Sequence, residues 1–103
     1  MSDKTETRQE PGLEVIEETR EPRRFKVLLH SDDYTTMDFV VHVLTNVFHK
    51  ALADATRIML AVHKQGFGVC GVYTAEIAET KVETVHSMAR AAGFPLRASL
   101  EEV

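Results

Sequence analysis

Apolar and polar positions first alternate at Phe25, Val27 and Leu29, with Lys26, Leu28 and His30 between them, the pattern of a strand with one buried face. The run stops at Ser31-Asp32-Asp33, three residues that favour turns through local side-chain hydrogen bonds. Met37, Val40, Val41, Leu44, Val47 and Phe48 then recur at three- and four-residue spacing and predict an amphipathic helix to about Lys50. Thr35, with an acid three residues later at Asp38, gives that helix a capping-box-like start. A second helix is predicted over 55–65, capped by Asp54, with Ile58, Met59 and Val62 on one face and Gly66 as its stop. Gly68 to Tyr73 reads as a short strand in which Val69, Gly71 and Tyr73 oppose Cys70 and Val72, its glycines signalling a close backbone approach or a bend. Thr74 caps a third helix over 75–92, whose inner stripe is Ala78, Val82, Val85, Ala89 and Ala92, and Gly93 with Pro95 ends it. Leu96, Ala98 and Leu100 alternate in a final strand. The order β-α-α-β-α-β predicts an α/β fold, an α+β sandwich in which a small antiparallel three-stranded sheet packs against three helices.

The first 22 residues carry no such pattern. They are rich in Glu, Thr and Arg, contain Pro11-Gly12 and Pro22, and offer only Leu13, Val15 and Ile16 as an apolar cluster. That is too little burial to offset the entropy of ordering, so a disordered N-terminal extension over 1–22 is expected ahead of a domain over 23–103. Charge divides at the same place. The chain of 103 residues has a net charge of −4, and residues 1–22 hold seven acids and three bases, whereas 23–103 hold nine of each. A neutral domain has no basic surplus to drive phosphate binding, which argues against a nucleic-acid partner. No apolar run approaches the length of a membrane span and the N-terminus is acidic, so neither a membrane partner nor a signal peptide is expected. A soluble protein of a reducing compartment is the expectation.

Catalytic chemistry finds little support. Cys70, the one cysteine, lies between Val69 and Gly71 in an apolar strand, where a cysteine is usually a small buried hydrophobe. His30, His42, His49, His63 and His86 form neither an HxxxH nor an HxH pair, and no metal site or cofactor is predicted. Phosphate-loop patterns are absent from the sequence. What remains is a set of polar acceptors: Ser31, Asp32 and Asp33 between a strand and a helix, and His63 directly after Val62 on the second helix. From pattern alone, the Asp pair reads as turn chemistry and His63 as a histidine at the edge of the core. Taken by themselves, these residues specify no more than a small α/β binding domain.

The stretches LLHSDDYTTMDFVVHVL (28–44), TRIMLAVHKQGFGVCGVYTAEIAETKV (56–82) and FPL (94–96) resemble the ClpS family. These bacterial adaptors deliver N-degron substrates to the Clp AAA+ protease. The likeness runs from about Phe25 to Glu101, with the motifs DDYTTM, VH and AETK in family order, and the charged tail resembles the family's N-terminal extension. An N-degron is a free α-amine carrying a bulky apolar side chain, so its binder needs acceptors beside an apolar pocket. The resemblance implies that Asp32 and His63 hold the α-amine, with Asp33 supporting the loop geometry. It implies a pocket of Met37, Val40, Met59, Val62 and Leu96, with Met59 as the gate against β-branched Val and Ile, whose χ1 is stiff.

One position departs from the family, which usually has Asn where this chain has Ser31. A serine hydroxyl is shorter than an Asn amide and offers fewer groups, so weaker or narrower N-degron binding is expected. The resemblance also implies docking on the N-terminal domain of a ClpA- or ClpC-like unfoldase through Glu76, Glu79 and Lys81 at the start of the third helix, with Tyr34 at the same edge. The expected function is a cytoplasmic bacterial adaptor, itself no enzyme, for substrates beginning with Leu, Phe, Tyr or Trp. The alternative is a ClpS-like regulator that docks on the unfoldase and changes its substrate choice without binding N-degrons.

Overall fold

The structure, a computed structural model, describes residues 8–10, 13–15 and 22–103. Within the stretch expected to be disordered, β1 (Arg8–Glu10) and β2 (Leu13–Val15) pair antiparallel, Arg8 opposite Val15, and Pro22 leads into the domain. The rest of that stretch lies outside the described residues.

From Arg24 the order is β3 (Arg24–His30), α1 (Met37–Asn46), α2 (Leu52–Gln65), β4 (Phe67–Thr74), α3 (Ala75–Ala92) and β5 (Arg97–Glu102). The three strands form one antiparallel sheet with β3 in the centre, β4 on one side and β5 on the other. This is the predicted β-α-α-β-α-β sandwich. Val27 and Leu29 of β3 are fully buried against Val43 and Leu44 of α1, Ala55 and Ile58 of α2 and Val85 of α3. Each large aliphatic side chain taken out of water there contributes roughly 1.5–3 kcal/mol.

Several boundaries differ from the predicted ones, each for a local reason. Helix α1 is capped by Thr36, whose hydroxyl accepts from the Phe39 amide at 3.1 Å, and not by Thr35, which bonds elsewhere. The same helix stops at Asn46: the Lys50 amide reaches back to the Leu44 carbonyl at 3.0 Å, and His49 turns the chain with φ 57°. Helix α2 begins at Leu52, three residues early, on Ala51 without a side-chain cap, so Asp54 sits inside its first turn near Arg57. In α3 the stripe ends at Ala89, because Ala92 lies in the last turn and is exposed.

Strand β4 breaks its predicted alternation. Val27 opposes Gly71 while Leu28 opposes Val69, so Cys70 is the extra residue of a β-bulge. Gly68 and Cys70 therefore face the core before the bulge, Tyr73 faces it after, and Val69 and Val72 are left on the outer face. Gly68 is where the predicted close approach occurs. A Cβ built there would meet Val62 Cγ2 at 2.8 Å and the Ile58 carbonyl at 3.1 Å, so β4 and α2 touch backbone to backbone.

Replacing Gly68 with Ala should force these elements apart and destabilise the domain by about 1–3 kcal/mol, the usual cost of overpacking a tight contact. Urea denaturation checks this: the midpoint should fall while the slope holds, and an unchanged midpoint would count against the contact.

Candidate functional site

Strand β3 ends at His30, and the chain at once enters the loop 31–36 that leads into α1. Two sets of hydrogen bonds fix that loop. The Ser31 amide donates to the Gly66 carbonyl at 2.9 Å, tying the loop to the residue that ends α2. Gly66 has φ 93°, a left-handed conformation that glycine adopts without strain, and its own amide donates to the Val62 carbonyl. Asp32 then organises the turn. Its Oδ1 accepts from the Tyr34 amide at 2.8 Å and the Thr35 amide at 2.7 Å, and its Oδ2 accepts from the Thr35 hydroxyl at 2.8 Å. Partial burial pushes the Asp32 carboxyl up, but these three bonds together outweigh it and hold the group below the ordinary carboxylate range.

The tie between Ser31 and Gly66 brings the loop against the last turn of α2, where His63 projects. Ser31, Asp32 and His63 line one cleft together with Met37, Val40, Met59, Val62 and Leu96. The cleft encloses about 310 Å³ with its open mouth included. Val40 (6% exposed), Val62 (3%) and Leu96 (4%) make its floor. Met37, 48% exposed, and the half-buried Met59 stand at the mouth. An apolar floor with polar groups on one rim suits a ligand that is greasy at one end and charged at the other.

Two lining residues had not been singled out from sequence as site residues. His30 closes the cleft from the end of β3, and Thr35 supplies two of the three bonds to Asp32. Thr35 had a signal available, since an Asp followed three residues later by Thr is an Asx-type turn. Asp33, by contrast, is exposed and does not line the cleft.

The residues expected to dock a partner divide between two places. Tyr34, 76% exposed, belongs to the cleft's loop. Glu76, Glu79 and Lys81 lie at the start of α3, which follows Thr74, and Thr74 pairs with Arg24 at the opposite end of β3 from His30. Seven residues of strand separate the two ends by about 20 Å. Glu76 and Glu79 are exposed. Lys81 is anchored: its Nζ donates to the Val47 carbonyl at 2.7 Å and lies 5.8 Å from the Phe48 ring centre and 5.4 Å from that of Tyr73.

Cys70 carries no nucleophile. It is fully buried, and burial pushes its thiol up to about 12, so the thiolate is not populated near neutrality. Among the described residues no cluster of His, Cys, Asp and Glu could hold a metal ion, and no helix is long and apolar enough to cross a membrane.

The family model described as "ATP-dependent Clp protease adaptor protein ClpS" matches residues 20–99. The curated "ATP-dependent Clp protease adapter protein ClpS" of Oleidesulfovibrio alaskensis is 62% identical over 104 residues, covering all of both chains. Its namesake in Desulfatibacillum aliphaticivorans is 67% identical over 88 residues, 85% of each chain. Among solved structures, Agrobacterium tumefaciens ClpS2 bound to L-phenylalaninamide aligns with a TM-score of 0.78 and 37% identity, covering 81% of this chain and all of that one.

Because the folded Asp32 value is depressed, the loop stability it contributes is present above the ordinary value of 3.8 and is lost as pH falls through the lower, folded value. Thr35→Val removes one of the three bonds that lower it. An NMR titration of the Asp32 carboxyl carbon should show the variant titrating at higher pH than the parent; coincident curves would refute this account of the turn.

Proposed function

The chain belongs to the ClpS family of ATP-dependent Clp protease adaptor proteins, and from that membership we propose that it holds protein substrates by a bulky apolar N-terminal residue and hands them to the Clp unfoldase. The observation that carries this reading is the meeting of Asp32 and His63 on the rim of a cleft floored by Val40, Val62 and Leu96. A related protein of the same fold bound L-phenylalaninamide, an aromatic side chain with a free α-amine and no free carboxylate.

The chemistry follows from counting donors and acceptors. A carboxylate has about four acceptor sites, and Asp32 uses two on Oδ1 and one on Oδ2, so one site on Oδ2 remains for a substrate. An α-ammonium brings three N–H donors. One goes to Asp32 Oδ2 in a charge-assisted bond, one to a ring nitrogen of neutral His63, and one to the Ser31 hydroxyl or a water beside it. The side chain enters between Met37 and Met59 and rests on Val40, Val62 and Leu96, where a Leu or Phe gains roughly 1.5–3 kcal/mol from burial. Met59 at the mouth gates the pocket against Val and Ile, which cannot turn their branched Cβ aside. Asp33 braces the loop from outside.

The face carrying Glu76 and Glu79, with Lys81 steadied behind it, docks on the N-terminal domain of a ClpA- or ClpC-like unfoldase in the bacterial cytoplasm. The adaptor itself catalyses no step. Tyr34 stands at the pocket end and is available to the substrate side of that assembly. The acidic extension offers the unfoldase pore a segment to engage. A second reading has one observation in its favour: with Ser31 in place of the family's Asn and Asp32 largely committed to its own loop, few acceptors are left for the amine. On that reading the chain docks on the unfoldase and alters its substrate choice without holding an N-degron.

Fluorescence anisotropy separates the two. A labelled peptide beginning with free Phe or Leu should bind, while its Nα-acetylated twin and a Val-initiated control should not. Equal failure of all three would sink the adaptor reading and leave the docking-only one. Ser31→Asn should tighten binding of the free peptide about two- to tenfold, the worth of one neutral hydrogen bond. No change would show that Ser31 costs nothing.

A further inference from the structure

Leu96 has two neighbours to serve. On one side it floors the pocket, and on the other it lines a second, shallower cleft of about 570 Å³, open mouth included, between the C-terminal end of α3 and the start of β5. The second cleft is lined by His86, Arg90, Phe94, Pro95 and Arg97 as well as Leu96, so its charged side chains are both basic. Among the described residues no carboxylate lies within 4.0 Å of either guanidinium. Two of the carbonyls at the end of α3 are taken by the chain itself: the Gly93 amide donates to Arg90 and the Phe94 amide to Ala89. His86 Nε2 accepts from the Ala98 amide at 3.0 Å, which places the hydrogen of the neutral ring on Nδ1 as one more donor.

The two clefts are electrically unlike. The rim of the first is built on Asp32, with Asp33 in the same loop and Asp38 in the first turn of α1, whereas the second has only cations. Arg97 pairs with His30 across the sheet, and after burial its charge is the second cause that holds the His30 ring below its ordinary value. A chain whose amine sits at Asp32 and whose next residues pass over Leu96 therefore moves from a negative to a positive surface.

We propose that the Arg90–Arg97 cleft is a subsite for an acidic side chain, Asp or Glu, at the second to fourth position of the bound substrate. The proposal rests on the adaptor reading above. Residues two to four of an extended chain lie about 3–10 Å beyond the first, and the two clefts adjoin at Leu96. Phe94 and Pro95 give the methylenes of Glu an apolar wall. The selectivity would thus extend past the N-terminal residue to the charge of the segment behind it.

The test uses full-length protein and four labelled peptides with a free N-terminal Phe. One is neutral throughout, one has Glu at positions two and three, one carries the same two Glu at positions eight and nine, and one is the Nα-acetylated neutral peptide. In low salt the proximal Glu pair should tighten binding about three- to tenfold over the neutral peptide, an effect of the size expected for exposed ion pairs and reduced by added salt. The distal pair should not. In the double variant Arg90→Gln, Arg97→Gln the gain should vanish while affinity for the neutral peptide stays the same. Equal tightening by distal Glu, or a gain that survives the double variant, would overturn the subsite. If the neutral peptide binds no better than its acetylated twin, the adaptor reading itself fails, an outcome distinct from both.

Discussion

The site hangs on one backbone hydrogen bond, from the Ser31 amide to the Gly66 carbonyl. It joins the residue after β3 to the residue after α2, and β4 starts at the next position, Phe67, already paired with His30. That tie holds the acceptor loop against the end of α2, next to His63, at the point where β4 begins. Gly66 is the residue that permits it, because its left-handed conformation turns the chain from helix to strand at no steric cost. Two residues later, Gly68 lets β4 lie directly on Ile58 and Val62, so the same corner also seats the floor of the pocket.

Above that floor the site combines stiff and soft parts. Asp32 is locked by its own turn, and Val40, Val62 and Leu96 are buried aliphatic groups with little freedom. In Asp32 a ligand meets an acceptor that needs no ordering, which spares it part of the entropy that binding otherwise costs. The mouth is different. Met37 and Met59 are unbranched at Cβ and polarisable, able to shape themselves around aromatic rings and the γ-branched chain of Leu. On the proposed reading, the polar rim would read the amine while the flexible mouth fits side chains of different shape.

Much of this was legible in the residues. The period-two run at Phe25, Val27 and Leu29 and the wide apolar stripes of the helices fixed the element order, since burial of one face imposes a period that survives any detail of packing. Gly66 and Gly93 marked two helix ends correctly because positive φ is hard for other residues. Local competition hid the rest. Thr35 and Thr36 are adjacent and chemically alike, and only the prior claim of Asp32 on Thr35 leaves Thr36 as the cap. The bulge at Cys70 left no trace in hydropathy, because Val69, Cys70 and Val72 are all apolar while only Cys70 is inside. Lys81 could not be recognised as anchored, since its partner Val47 is 34 residues away and contributes a carbonyl, which every residue has. The pocket residues came from family likeness; periodicity alone makes Val40 and Val62 ordinary core.

The cleft and the start of α3 stand at opposite ends of the central strand, joined by a sheet with a buried core. Cargo at one end and a docked machine at the other would share no side chain and no loop. Heterotropic coupling requires an element with two arrangements that both ligands bias, whereas what spans the two ends is one three-stranded sheet over a buried core. On the proposed reading the ternary assembly would form as the product of two independent equilibria, in either order. Transfer would then be a mechanical event, the work that separates substrate from adaptor coming from the ATP-driven partner.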